Sequence, residues 1–216
     1  MNGKQSEDQS PSTNRIEAFS DGVFAIVITL LILELRVPQI NNPQDPYELF
    51  NALLGVAPKF LSFVMSFFFV AVFWVSHHQF FHTLNFSRRG LLWLNNLFLF
   101  FITFIPFPTT VLGGYSDNKT AVIFFGAAFF AASLSFAVLR RYGWVKGELT
   151  SDEFSEGSVR KAMRRSFLLP ALYLIGMAVA PFNTEIAIAI YFLTPILLII
   201  PLKLRTHSEK KDDIDV

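Results

Sequence analysis

The 216-residue sequence contains no cysteine, which excludes disulfide frameworks, thiolate metal sites, iron–sulfur clusters and a cysteine nucleophile together. It is also poor in charge. Only 16% of residues are Asp, Glu, Lys or Arg, against roughly 25% in an average soluble domain. Neither sign prevails: 18 basic and 17 acidic side chains leave a net charge of +1, so no general field recruits nucleic acid or another acidic partner. The sequence has no GxxxxGK[ST] phosphate loop, no dinucleotide fingerprint, no GxSxG nucleophile elbow and no TVGYG-type carbonyl filter. The first fourteen residues are polar, with no apolar core behind a positive cluster, which speaks against a cleavable signal peptide.

What fills the chain instead is apolar. Hydrophobic residues make up 52% and aromatics 16%, with 26 Phe, and the mean hydropathy is +0.44. A water-soluble domain of this size could not cover itself with so little polar surface. A spanning helix needs about 20 mainly apolar residues, and six segments qualify: 16–36, 49–74, 91–112, 120–141, 166–181 and 184–203. In lipid such runs must be helical, because only a helix satisfies its own peptide groups. The expected fold is therefore an all-α integral membrane protein with six transmembrane helices per chain. A polar N-terminus occupies 1–14, the membrane domain 15–205 and a charged tail 206–216.

Counting Lys and Arg in alternate connections sets the orientation. On the side of the N-terminus lie 15, including Arg15, Arg88, Arg89, Arg140, Arg141 and the basic run from Arg160 to Arg165; Arg36, Lys59 and Lys119 are the 3 opposite. Both termini are expected in the cytosol, with the 76–90 and 143–165 stretches as cytosolic loops.

Charges within a spanning helix are costly and mark function or assembly. The first segment concentrates them: Arg15, Glu17, Ser20 and Asp21 crowd its start, followed by an apolar run broken by Thr29. At about 100° per residue, Ile26, Leu30, Leu33, Thr29 and Gly22 fall on one face and Asp21 on the other. Arg15 lies too far around the helix to pair with Asp21, so Asp21 should be buried and find a partner on another helix. Trp74, His77 and His78 at the end of the second segment and Asn95 or Asn96 near the start of the third lie at the same depth. A polar knot tying helices together is the first reading of this group, and a proton relay or ligand site the second. His78 and His82 stand at i, i+4, a spacing that lets two imidazoles share one metal. With only four His in the chain, a multi-histidine metal enzyme is not expected, and neither a metal nor a cofactor is assigned. Pro106 and Pro108 predict a kink in the third segment. The 26 Phe are expected to fill helix contacts and lipid-facing surface. A voltage-gated channel of the six-helix type is excluded, since the fourth segment lacks spaced arginines and no pore loop separates the fifth from the sixth.

The run RIEAFSDGVFAI carries Arg15, Phe19, Ser20 and Asp21 in the pattern R-x-x-x-F-S-D. Together with FWVSHHQFF (73–81) and NNLFLFFITFIPFPTTVLGGY (95–115), it resembles the bacterial branch of the transmembrane protein 175 potassium-channel family. The resemblance is strong over 14–116 and otherwise one of layout. It implies a homotetramer in the bacterial inner membrane, with the first helices of four chains around a central pore. Potassium and other monovalent cations would be the permeating partners, with no cofactor and no catalysis. It further implies that hydrophobic rings replace a carbonyl filter. By position after FSD, these rings fall on Ile26, Leu30 and Leu33, and Thr29 matches a threonine implicated in selectivity. The animal members have two six-helix units where this chain has one, and their proton conduction is not carried over. A proton- or ion-coupled transporter using Arg15, Asp21 and His77 is the alternative.

Overall fold

With no water in the bilayer interior, the polar backbone of the apolar segments has to close its hydrogen bonds within helices. The computed structural model describes residues 13–84, 87–145 and 156–199. The chain there runs through α1 (Asn14–Ile32), α2 (Pro46–Gly55), α3 (Ala57–Phe81), α4 (Arg89–Phe104), α5 (Pro106–Gly114), α6 (Lys119–Val145), α7 (Glu156–Ser166), α8 (Leu168–Val179) and α9 (Thr184–Ile199). The expected tail and nearly all of the expected polar N-terminus lie outside the described residues.

Among the described residues, four helical stretches are long and apolar enough to cross a membrane: Ala57–Phe81, Arg89–Gly114, Lys119–Val145 and Val159–Val179. Thr184–Ile196 is apolar but shorter. α1 has 19 residues and carries Arg15, Glu17 and Asp21 in its first half.

Several boundaries differ from the sequence expectation. The 49–74 segment divides into α2 and α3 at Gly55–Val56, with Pro58 seated in the first turn of α3, where its missing N–H costs nothing. α3 then continues to Phe81, so His77 and His78 belong to a helix and not to the loop expected from Ser76. The polar imidazoles do not stop a helix, and no Gly or Pro follows until Gly90. The third segment bends where expected: Pro106 opens α5, and the amide of Ile105 bonds Ile102 O at 3.1 Å in a tightened last turn of α4. The basic stretch expected as a loop contains α7, with Arg164 and Arg165 in its last turn, where positive charge suits the helix dipole.

α6 is the hub and packs against α4, α5, α7, α8 and α9. Lipid is as apolar as leucine, so these contacts depend on close fit more than on the hydrophobic effect. Rings supply much of that fit. Phe69 lies 4.3 Å from Phe129 and 4.4 Å from Phe73, and Phe98 lies 4.8 Å from Phe136, between ring centroids. They join α3, α4 and α6, while Tyr173 brings in α8. Glycine makes room for one further ring. Tyr191 of α9 occupies the space that a Cβ on Gly126 (α6) or Gly176 (α8) would fill. Gly176→Ala should cost about 1–3 kcal/mol by overpacking. Thermal unfolding in detergent checks this, and Tyr191→Phe should not relieve the cost, since the ring itself is in the way.

α1 sits at the margin of this bundle, on α3, α4 and α5. It buries Ile16, Ser20, Phe24, Val27 and Leu31, a stripe at helical spacing. Its other side, at Phe19, Gly22, Ile26, Thr29 and Leu30, is exposed on the single chain.

At the opposite end, Glu48 of α2 closes the turn before its own helix. Its carboxylate accepts from the amides of Asn41 and Asn42 at 2.6 and 2.9 Å, and these bonds hold it below the usual carboxylate range. A lowered folded value means that the contribution is complete above the unfolded pKa and is lost as pH falls through the folded one. Hydrogen exchange should find Asn41 and Asn42 more protected in wild type than in Glu48→Gln at pH 7. That difference should vanish in acid below the folded value of Glu48.

Candidate functional site

The buried stripe of α1 determines which residues remain bare. Ile26 is 60% and Leu33 68% exposed on the single chain, whereas Val27 is 2% exposed. Leu30, Phe19, Gly22 and Thr29 are exposed with Ile26 and Leu33. From Gly22 to Leu33 the bare face is apolar except for Thr29. The Thr29 hydroxyl donates to Ile26 O at 2.8 Å and lies 3.0 Å from Ala25 O, so it is turned onto its own helix, an ordinary arrangement for threonine in lipid.

The first turns of α1 meet α3 and α4 through polar groups. His77 Nε2 lies 2.8 Å from Asn95 Oδ1, Asn95 Nδ2 donates to Ser20 Oγ at 3.1 Å, and Ser20 donates to Ile16 O at 2.8 Å. An amide oxygen only accepts, so in this orientation of Asn95 the proton sits on His77 Nε2 and all bonds run one way. His77, Asn95 and Ser20 are buried, and an unpaired polar group there would be costly. Phe24, Phe98 and Phe81 enclose the imidazole, with ring centroids at 5.7, 6.0 and 4.4 Å.

Asp21 pairs with α3, as its angular position suggests: Trp74 Nε1 donates to Asp21 Oδ1 at 2.9 Å. The expected burial is not found, since Asp21 is exposed on the single chain. The reason is that the pair lies at the rim, on the flank of the α1–α3 contact. Arg15 is likewise exposed at the start of α1. His78 and His82 lie outside the buried knot. Their Nε2 atoms are 3.2 Å apart, and the Trp74 ring stacks on His78 with centroids 6.4 Å apart and 19° between planes. Glu17 reaches the same place across from α1.

Two contacts were not foreseen. Ser66 of α3 bonds Thr109 of α5 at 2.7 Å. Trp144 of α6 donates to Thr83 at 3.0 Å while the Arg140 guanidinium lies 4.4 Å over its ring. Hydroxyls in apolar helices are the only sequence signal for the first. For the second it is the aromatic beside a basic pair at a helix end.

A family model described as "Endosomal/lysosomal potassium channel TMEM175" matches residues 15–106. The chain is 32% identical over 191 residues to a potassium channel of Chamaesiphon minutus, covering 87% of this chain and 94% of that one. The crystal structure of a lysosomal potassium-selective channel TMEM175 homolog from Chamaesiphon minutus superposes with a TM-score of 0.75 at 32% identity, over 87% of this chain and 96% of that chain. The human endosomal/lysosomal proton channel TMEM175 is 40% identical over 100 residues, which is 44% of this chain and 20% of the human protein.

Proposed function

We propose that this chain, which belongs to the family of the endosomal/lysosomal potassium channel TMEM175, conducts through a pore lined by α1 at the centre of a homotetramer. It is a potassium-permeable channel and a multi-pass membrane protein, not an enzyme. The observation that carries the pore reading is the division of α1. One side is sealed by its own chain, and the other, at Gly22, Ile26, Leu30 and Leu33, is apolar and bare. A helix at the margin with such a face is suited to meet its own copies around an axis.

In this reading the six spans are α1, α3, α4 with α5, α6, α8 and α9, with the basic α7 at the cytosolic margin. Both termini are cytosolic and the membrane is the bacterial inner membrane. Ile26, Leu30 and Leu33 form stacked rings, Thr29 contributes to the choice among monovalent cations, and no cofactor is involved. Isobutyl and sec-butyl groups offer an ion no replacement for its water, and a narrow apolar pore dewets, so closure needs no plug. The knot of Ser20, His77 and Asn95 is a structural tie that fixes the start of α1 to α3 and α4. A carrier built on Arg15, Asp21 and His77 draws no support from the geometry, because Asp21 bonds Trp74 and His77 bonds Asn95.

Recording from liposomes containing purified protein tests the reading. Unitary steps carried by potassium are the expected result. Transport without unitary steps, or flux only against a countersubstrate, would replace the channel by a carrier.

A further inference from the structure

We propose that Glu17 of α1 with His78 and His82 of α3 forms a binding site for a divalent transition-metal ion, clipping the first helix to the helix behind it. One ligand atom from each residue lies within 4.8 Å of the other two. The spacing is specific. A tetrahedral ion with metal–nitrogen bonds of about 2.0–2.1 Å holds two nitrogens roughly 3.3 Å apart, and the two Nε2 atoms stand at 3.2 Å. The i, i+4 placement on a regular helix supplies that distance, and the rings stand at 90° to each other. The third ligand comes from a different helix, so a bound ion cross-links two elements.

The donor set selects the ion. Calcium and magnesium take oxygen ligands, whereas two imidazoles with one carboxylate suit zinc, nickel, copper or cobalt. Three protein ligands leave a position for water, and His78 and His82 are exposed on the single chain, which leaves an entry path. The neighbouring turn steadies the site. Asp21, one turn along α1 from Glu17, accepts from Trp74, and Trp74 stacks on His78. The anchored indole thus limits how the His78 ring can turn. The inference concerns the α1–α3 contact alone and does not depend on which face of α1 lines a pore.

The test uses the full chain, purified in detergent without a polyhistidine tag and titrated with Zn²⁺ and then Co²⁺. Saturable binding of about one ion per chain is expected, with the visible cobalt absorption of a four-coordinate site. Zinc should raise the unfolding temperature of wild type, reversibly on adding a chelator. His78→Ala should abolish binding, and Glu17→Gln should weaken it by at least about tenfold and remove the thermal effect. His207→Ala, in the tail, should change nothing. Because His78 and His82 are exposed on the single chain and Glu17 is only half-buried, each variant should keep the wild-type elution volume and helical signal. Binding in Glu17→Gln as tight as in wild type, loss of binding in His207→Ala, or a titration that never saturates would overturn the site.

Discussion

In the proposed tetrameric pore, replacing Ile26 with Asn is expected to raise resting potassium current per tetramer by at least about tenfold and to shift the reversal potential toward that of a non-selective pore. An apolar ring narrow enough to exclude liquid water sets a barrier of several kcal/mol, and each 1.4 kcal/mol is about tenfold in rate. An amide at that ring gives water and ion a hydrogen-bonding partner and removes part of the barrier. The control has to be bare on the single chain but aimed elsewhere. Ile32 meets that need, being 47% exposed and, at about 100° per residue, roughly 120° around α1 from Ile26. Val27 is unsuitable because it is buried on the packed side, so Asn there reports on folding. Planar-bilayer currents normalised to assembled tetramer decide the matter. Unchanged current and reversal potential in Ile26→Asn would take Ile26 out of the pore.

The second large effect is expected at Asn95. Asn95→Leu removes both inter-helix bonds of the knot and leaves His77 Nε2 and Ser20 Oγ facing apolar surroundings. A stranded buried polar group costs about 1–3 kcal/mol, so a loss of roughly 2–5 kcal/mol is expected. At about 2–4 °C per kcal/mol for a chain of this size, the thermal midpoint should fall by roughly 4–20 °C. Adding Ser20→Ala to Asn95→Leu should cost less than the separate losses combined, because the two residues share one bond and are coupled. A midpoint within 1 °C of wild type, or strict additivity, would mean that the knot does not tie α1 in place.

The contrast between these two positions marks what the sequence reveals. Composition alone dictates a helical membrane protein, and angular arithmetic on α1 groups Ile26, Leu30 and Leu33 on one face because 3.6 residues per turn is local geometry. The kink at Ile105–Pro106 is legible for the same reason, since a missing amide acts where it stands. The partners in the knot are less so. Trp74, His77 and Asn95 all lie at the right depth for Asp21, but whether an indole or an amide reaches it depends on helix rotation. That rotation is set by contacts such as those of Phe24 and Phe98, far apart in the chain. The end of α3 was hidden too, because polarity at Ser76–His78 resembles an interface while helix propensity carries on to Phe81. Glu17 beside His78 and His82 depends on the antiparallel register of α1 and α3, which no single segment encodes.

The short rise between Ile26 and Leu33 has an electrical consequence. Seven residues of helix span about 10 Å, roughly a third of the hydrocarbon thickness. In the proposed pore, if water fills the conduit on either side of the rings, nearly the whole membrane voltage falls across this short segment. A monovalent ion crossing it then gains about 2.3 kcal/mol per 100 mV, comparable to the dewetting barrier itself. Current through the resting conformation should therefore rise more steeply than in proportion to voltage, with no charged sensor moving in the protein.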